Sequence, residues 1–505
     1  MSAACSRIAL AIATGLLAGS AVGAQPVQPV TSGRAAAAPA PPERTPAEWR
    51  AFAREDILAA YDIFSRHHPG MFDPANPGFP AQLRRARDAG LAFIPRVTDL
   101  EGQALAMERF SAVLADGHAR AQIAYSGQGQ PLWPGFRTVW RGDALYVSDP
   151  GQSGLPRGAT LLACDGRSAR AAILDYSFSG NGRQAEAGLW WEAAPGFFTR
   201  VRSPYETIPR ACRFRHPDGR TTNLTLDWQP VTMAQIRDLI RAAQPAPVGL
   251  SEPRPGIRLI TLPDFSPGDE GVAAYHRLFA GLEGEIGQIA TARAIVLDLR
   301  RNNGGSSRWS QEIANRLWGE SAVTAALARY YRRTTIRWLA DEGNIANFRE
   351  HGARYRRQGL EQAAREMDET VARMEAARAR GDHFYVEQVA GAYAMAGPPA
   401  RPRHLPPVYV IVDGKCASAC LDAVDLFTLF PGVKLIGAPT SADTNYMDIR
   451  SERLPSGRGL VILPTKIWVN RPRASGRFYR PQIPVNDLDW STSTMLDHVE
   501  RDLRR

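Results

Sequence analysis

Two short apolar runs constrain this chain more than anything else in it. The segment Pro407–Asp425 reads PVYVIVDGKCASACLDAVD. Its β-branched stretch from Val408 to Val412 has no polar face, the pattern of a strand covered on both sides in a parallel sheet. Asp413-Gly414 marks a turn, after which Leu421, Val424, Leu426 and Phe427 follow at helical spacing. A strand, a tight turn and a helix start place the Ser418 hydroxyl at the mouth of a sheet. There the first helical N–H groups lack internal partners and can bind developing negative charge. Taken alone, the pattern better describes an ordinary helix start with a buried serine. The second run, Ala294–Leu299, is followed by Arg300-Arg301-Asn302-Asn303-Gly304-Gly305 and a helical pattern from Trp309 to Trp318. It too ends in backbone able to face a ligand, and it lacks the spacing of a phosphate-binding loop. Two such units predict an α/β domain.

The N-terminus reads as an export signal. Arg7 precedes the apolar segment Ile8–Leu17, and Val22-Gly23-Ala24 offers a cleavage site before Gln25. No later stretch is apolar for long enough to span a bilayer, so no stable membrane insertion is expected. The predicted location is a periplasm or the cell exterior. Four cysteines then remain, Cys164, Cys212, Cys416 and Cys420, and an oxidising compartment permits disulfides. Cys164 with Cys212 is one natural pairing. Cys416 and Cys420 flank Ser418, and a bridge between them requires Cys416 to precede the first helical turn. The spacing of the four does not suit zinc, and no metal or cofactor is expected. The net charge of +10 comes from arginines scattered among nearly as many acids, so nucleic acid is not an expected partner.

In chain order the reading is a signal at 1–24, a disordered Pro/Ala tether at 25–45 and a helical domain at 46–119. A β-rich domain follows at 120–245, and an α/β core at 246–505 carries a helical insertion at 319–400. The helical domain rests on Trp49, Phe52, Ile57, Leu58, Tyr61 and Phe64, with further helices over Pro80–Leu91 and Asp99–Leu114. It closes in Asp116-Gly117-His118, where a histidine leaves a turn and enters alternating residues. Residues 144–174, two strands around Asp165-Gly166 and then a helix, resemble the middle of a PDZ-like peptide-binding module. Residues 177–206 fit no pattern. The insertion's interspersed Arg and Glu over Asn344–Ala379 predict a solvated helical cap. Gly459–Leu463 and Lys466–Val469 read as two strands separated by Pro464.

Together these motifs resemble the tail-specific, or C-terminal-processing, serine peptidase family. Asp298–Gly305 matches its Asp-Leu-Arg strand end and Asn/Gly-rich turn, and Val412–Ala419 matches its Val-Asp-Gly turn followed by small-Ala-Ser-Ala. Gly437–Thr440 matches its Gly-x-Pro-Thr, and Pro481–Val485 echoes its Pro-Asp-Ile-x-Val. The resemblance implies a crotonase/ClpP-like ββα core and a serine peptidase acting on peptides or protein tails. Ser418 is then the nucleophile, and the N–H of Ala419 with that of Gly304 or Gly305 forms the oxyanion hole. One departure matters. Many members place a catalytic lysine just after the Gly-x-Pro-Thr turn, where this chain has Asp443. Lys466 lies on an apolar strand. The branch similar to the tricorn protease core draws a histidine from the N-terminal region instead, and His118 fits that role. That branch's glutamate is absent here, which leaves Asp448, then Glu452 and Asp443, as candidates to orient the imidazole. A non-catalytic peptide or apolar-ligand binder on the same scaffold is the alternative expectation.

Overall fold

The computed structural model describes residues 44–505 apart from 126–129, 181, 202, 233, 236–245, 358–360 and 394–397. The expected signal and nearly all of the Pro/Ala tether lie outside the described residues. Capping fixes where the first helix begins: Thr45 and Glu48 form a reciprocal capping box, and Pro46 occupies the first turn of α1 (Pro46–His67). Two further helices follow, α2 (Phe79–Phe93) and α3 (Leu100–Leu114), the latter started by the Asp99 carboxylate accepting from the Gly102 amide at 2.8 Å. Ala115 takes a left-handed conformation at φ 51° and turns the chain into Asp116-Gly117-His118. The three helices bury Ile57, Phe64, Leu83 and Phe110, and the same cluster takes in Leu454, Val461 and Leu463 from the far end of the chain. This shared core ties the His118 turn to the domain that carries Ser418.

The strand β1 (Arg120–Ile123) leaves that turn and pairs antiparallel with the late strand at Ile462–Gly459. A five-stranded antiparallel path follows, β2 (Arg137–Arg141), β3 (Ala144–Asp149), β4 (Thr160–Cys164), β5 (Ala211–Arg215) and β6 (Thr221–Thr225). Cys164 and Cys212 stand opposite each other in the β4–β5 register and are disulfide-bonded. The stretch that fits no sequence pattern contains a short helix, Ala187–Ala193, and a 3-10 turn, Ala194–Phe198. Its Trp190, Phe197 and Phe198 fill the core of the β-rich unit, so their aromatic content is packing rather than periodicity.

The core begins with β7 (Gly249–Arg254), β8 (Ile257–Thr261) and β9 (Ala294–Asp298), and α4 (Arg308–Trp318) follows the Asn/Gly turn. The insertion comes next. It carries the helices Glu342–Arg357 and Glu361–Ala379 and also two strands, β10 (Thr335–Leu339) and β11 (Phe384–Gln388). Ile336 and Trp338 turn inward on β10, and the charged helices between the strands masked that alternation. After the insertion come β12 (Val408–Val412), α5 (Ala419–Phe427), β13 (Val433–Gly437), β14 (Tyr446–Arg453), β15 (Gly459–Val469) and β16 (Ile483–Pro484).

The central sheet has the order β7-β8-β9-β12-β13-β16, parallel except for the β7–β8 pair. Every residue of β9 and of β12 is buried, which is why both read as unbroken apolar runs. Their register sets Asp298 beside Ile411, so the two strands end at the same edge and deliver both turns to one place. A second sheet joins β1, β15, β10 and β11, with β14 against β15. The sequence divided β15 at Pro464, yet it is one strand of 11 residues. On one side β1 pairs only up to Ile462 and β10 starts only at Lys466, so the missing Pro464 N–H falls where no ladder bond is needed. Among the described residues no helix is long and apolar enough to cross a membrane.

Candidate active site

The turn after β9 is built to hold still. Arg300 is paired to the Asp298 carboxylate through both Nε and Nη2, and also donates to the Trp490 carbonyl and the Thr492 hydroxyl. The Arg301 amide donates to Asp413 at 2.8 Å, the Asn302 side chain donates to the Leu262 carbonyl, and the Gly304 amide donates to Asn302 Oδ1. Gly304 therefore has no N–H left for a ligand. Gly305 has: among the described residues its amide takes no part in a hydrogen bond, although the Phe265 chain brackets it on both sides. Asp298 and Arg300 thus act as scaffold.

The turn after β12 rests on Asp413, which also accepts from the Lys415 amide at 2.9 Å. Burial pushes the Asp413 carboxyl up to about 6 against the pull of those two amides. Cys416 and Cys420 are disulfide-bonded, and the helix starts only at Ala419, so Cys416 does precede the first turn. Ser418 sits at the N-cap position with φ 55° and ψ −126°, and its side chain makes no capping bond. An ordinary helix-start serine accepts from its own helix in extended backbone. Ser418 does neither, and a strained non-glycine residue at such a corner is a mark of a functional site. The two turns touch. A Cβ placed on Gly304 would lie 2.7 Å from Ser418 Cβ and 3.0 Å from the Ala419 amide nitrogen. That amide is one of the unpaired helix-start donors. Ser418, the Ala419 N–H and the Gly305 turn therefore converge.

Asp443, where the family places a lysine, accepts from the Ser418 amide at 2.9 Å and receives Arg473 at 3.4 Å. Its neighbour Thr444 donates to Asp116 at 2.7 Å. Asp116 in turn accepts from the His118 amide at 2.7 Å, and its Oδ1 lies 3.9 Å from His118 Nδ1. Two consecutive residues thus join the Ser418 corner to the His118 turn. Burial raises the Asp116 carboxyl, opposed first by the charge of His118. The loop is steadied from behind by Glu186, which accepts from the Ser441 hydroxyl and the Ala442 amide, and by Arg183 on the Ala442 carbonyl.

The other carboxylates named from sequence have cationic partners of their own. Asp448 is ion-paired to Lys466 at 2.7 Å, and Glu452 accepts from Arg450. Lys466 is buried and lies 4.5 Å from the Trp338 ring centroid. Sequence placed it on an apolar strand, and there it lines a small cavity of about 60 Å³ together with Asp448, Ser418, Ala419 and Gly305. Sequence reading also missed the buried network beneath the site. Asp422 and Asp425 on α5 receive Arg471 and Arg473, and Arg473 continues to Asp443. Two acids three apart in an otherwise apolar helix were the signal, since buried carboxylates require cations.

Comparison with known proteins bears on this geometry. Residues 256–470 match the model of peptidase family S41. No curated protein matches the sequence. Among solved structures, mature CPAF is similar at 14% identity with a TM-score of 0.59, covering 90% of this chain and 96% of its own. Mature CPAF complexed with lactacystin is similar at 15% identity with a TM-score of 0.57, covering 90% and 97%. At these identities the likeness is one of fold, and it extends over the helical and β-rich units as well as the core. Residues 256–470, which hold both turns and Ser418, are the part of the chain that matches peptidase family S41, and that match is to a serine-type peptidase.

Proposed function

We propose that this chain is an exported serine peptidase that cleaves peptide bonds in peptides or protein tails with Ser418 as nucleophile and His118 as general base. Ser418 Oγ attacks the scissile carbonyl carbon while the His118 imidazole takes its proton. The oxyanion forms between the Ala419 and Gly305 amides, which need no reorganisation to receive it. Collapse of the tetrahedral species expels the amine with the proton His118 holds, and a water activated by the same imidazole hydrolyses the acyl-enzyme. The observation that carries this reading is the Asp443-Thr444 link, which ties the Ser418 amide to Asp116 and so to His118. In this reading the carboxylate that steadies the imidazole is Asp116. Asp448 serves Lys466 instead. Two disulfides support the export reading, since such bonds persist in oxidising compartments.

A second base is Lys466, favoured by its place in the Ser418 cavity. Its Nζ is ion-paired to Asp448 at 2.7 Å and lies over the Trp338 and Trp468 rings, so it already has partners other than Ser418. The test is covalent labelling by a fluorophosphonate, followed on wild type, Ser418→Ala, His118→Ala and Lys466→Ala. Loss of labelling in Ser418→Ala and His118→Ala with retention in wild type and Lys466→Ala is the expected result. Labelling that survives Ser418→Ala overturns the nucleophile. Loss in Lys466→Ala with retention in His118→Ala transfers the base to Lys466.

A further inference from the structure

The Cys416–Cys420 disulfide encloses three residues, Ala417, Ser418 and Ala419. The nucleophile and one oxyanion donor of the proposed mechanism therefore both lie inside a single small covalent ring. We propose that this disulfide is a positioning element for the nucleophile, so that full activity belongs to the oxidised chain. The inference rests on the reading of Ser418 as the nucleophile.

Three observations carry it. Ser418 holds a backbone conformation, φ 55° and ψ −126°, that an L-residue adopts only when its surroundings over-determine it. The Asp443 carboxylate on the Ser418 amide is one such restraint, and the disulfide spanning Cys416 to Cys420 is the other. Next, the two bridges differ in what they close. Cys164–Cys212 spans 48 residues, whereas Cys416–Cys420 spans 4. The entropy a cross-link removes from the unfolded chain grows with its loop, so the short bridge has the weaker claim to a global stabilising role. Its effect is local, at the corner. Finally, both short-bridge cysteines are fully buried in the main core cluster, where two thiols or two alanines remain acceptable packing groups. The fold is therefore equipped to outlive the bond, while the Ser418 corner relaxes.

The bond is made by exchange with a disulfide of an oxidising dithiol partner. The two cysteine sulfurs join, the partner's S–S bond breaks, and the two thiol protons leave with the partner as its reduced dithiol. Peptidase activity is then switched on by the same oxidation that follows export.

The experiment compares two double variants, C416A/C420A and C164A/C212A, with wild type. Fluorophosphonate labelling rate, kcat and KM on an unstructured peptide, and melting temperature are measured for each. The expectation for C416A/C420A is a fall in labelling rate and kcat of at least about tenfold with KM within about twofold, the signature of a misplaced reacting group. Its melting temperature falls less than that of C164A/C212A, which keeps its kcat. Unchanged labelling and kcat in C416A/C420A overturn the inference. Should that variant not fold, C164A/C212A protein is reduced with a phosphine, shown by mass to carry both thiols free, and assayed before and after reoxidation. Full activity in the reduced form overturns the inference, and loss with recovery supports it. Ser418→Ala is run alongside. Labelling that survives it removes the nucleophile reading and this inference together, whereas labelling that needs Ser418 but ignores the disulfide removes only the inference.

Discussion

Gly304→Ala tests whether the two turns form one site. The added Cβ meets the Ala417 carbonyl oxygen and Ser418 Cβ at 2.7 Å and the Ala419 amide nitrogen at 3.0 Å, all backbone or backbone-fixed atoms that cannot swing away. The φ of +95° adds strain of roughly 1–2 kcal/mol for any L-residue. The turn and the Ser418 corner must separate, and the Gly305 and Ala419 amides then no longer point at one oxyanion. Losing one such donor costs about 3 kcal/mol of barrier, or roughly 10²–10³ in kcat. The global penalty is smaller in effect, a fall in melting temperature of a few degrees for a unit of some 250 residues. Steady-state kinetics on a peptide and a thermal melt separate the two effects. Gly287→Ala is the control, because its Cβ would enter open space in a helix and should leave the melt unchanged or slightly raised. A Gly304→Ala enzyme that melts lower yet keeps kcat within threefold would falsify the convergence of the two turns on one oxyanion.

Three further outcomes follow from the same geometry. Asp443→Ala removes the acceptor from the Ser418 amide and should lower kcat by about tenfold or more with little change in KM, while Asp443→Asn, which still offers a carbonyl oxygen, should retain most of it; equal losses in the two count against positioning through that hydrogen bond. The Asp413 carboxyl titrates at about 6 in the fold against about 3.9 in an unfolded chain, so its stabilising contribution is complete below the lower value and is lost as pH rises through the upper one. Wild type should lose up to ~3 kcal/mol relative to Asp413→Asn between pH 4 and 7, and a melting difference that stays constant over that range contradicts the assignment. Cys164→Ala with Cys212→Ala should cost about 4 kcal/mol of stability by loop-closure entropy, against about 2 for the 416–420 bridge, with kcat preserved.

The parts of the fold legible in the sequence are those whose constraint is local. Val408–Val412 and Ala294–Leu299 are buried on both faces, and their composition says so directly. Thr45, Pro46 and Asp99 start their helices by capping chemistry that is likewise local. What stayed hidden depends on contacts distant in sequence. Asp443 reads as a loop acid until the Ser418 amide is found against it, 25 positions earlier. Glu186 lies in a stretch without periodicity because its work is to hold Ser441 and Ala442, not to complete a helix face. The cavity that Lys466 enters was not legible from its apolar strand, because it is closed by β14 and the insertion, whose strands the charged helices concealed.

Asp443, at the position where the resemblance expects a lysine, has an electrostatic consequence that Arg473 resolves. A carboxylate held on the Ser418 amide sits close to where negative charge grows during attack. At about 6 Å and an effective dielectric near 20, two unit negative charges repel by about 3 kcal/mol, enough to undo one oxyanion donor. Arg473 lies 3.4 Å from the same Asp443 oxygen and is itself anchored by Asp422 and Asp425, so the carboxylate presents itself as half of an ion pair. Burial works against the Arg473 charge, yet those acids hold the guanidinium well above its usual range and it does not give up its proton. The corner thus keeps the carboxylate's geometry, a firm acceptor for a strained amide, while its field is cancelled. Under the proposed mechanism the serine proton is not taken on the Asp443 side but leaves toward the turn that Thr444 and Asp116 hold in place, which carries His118.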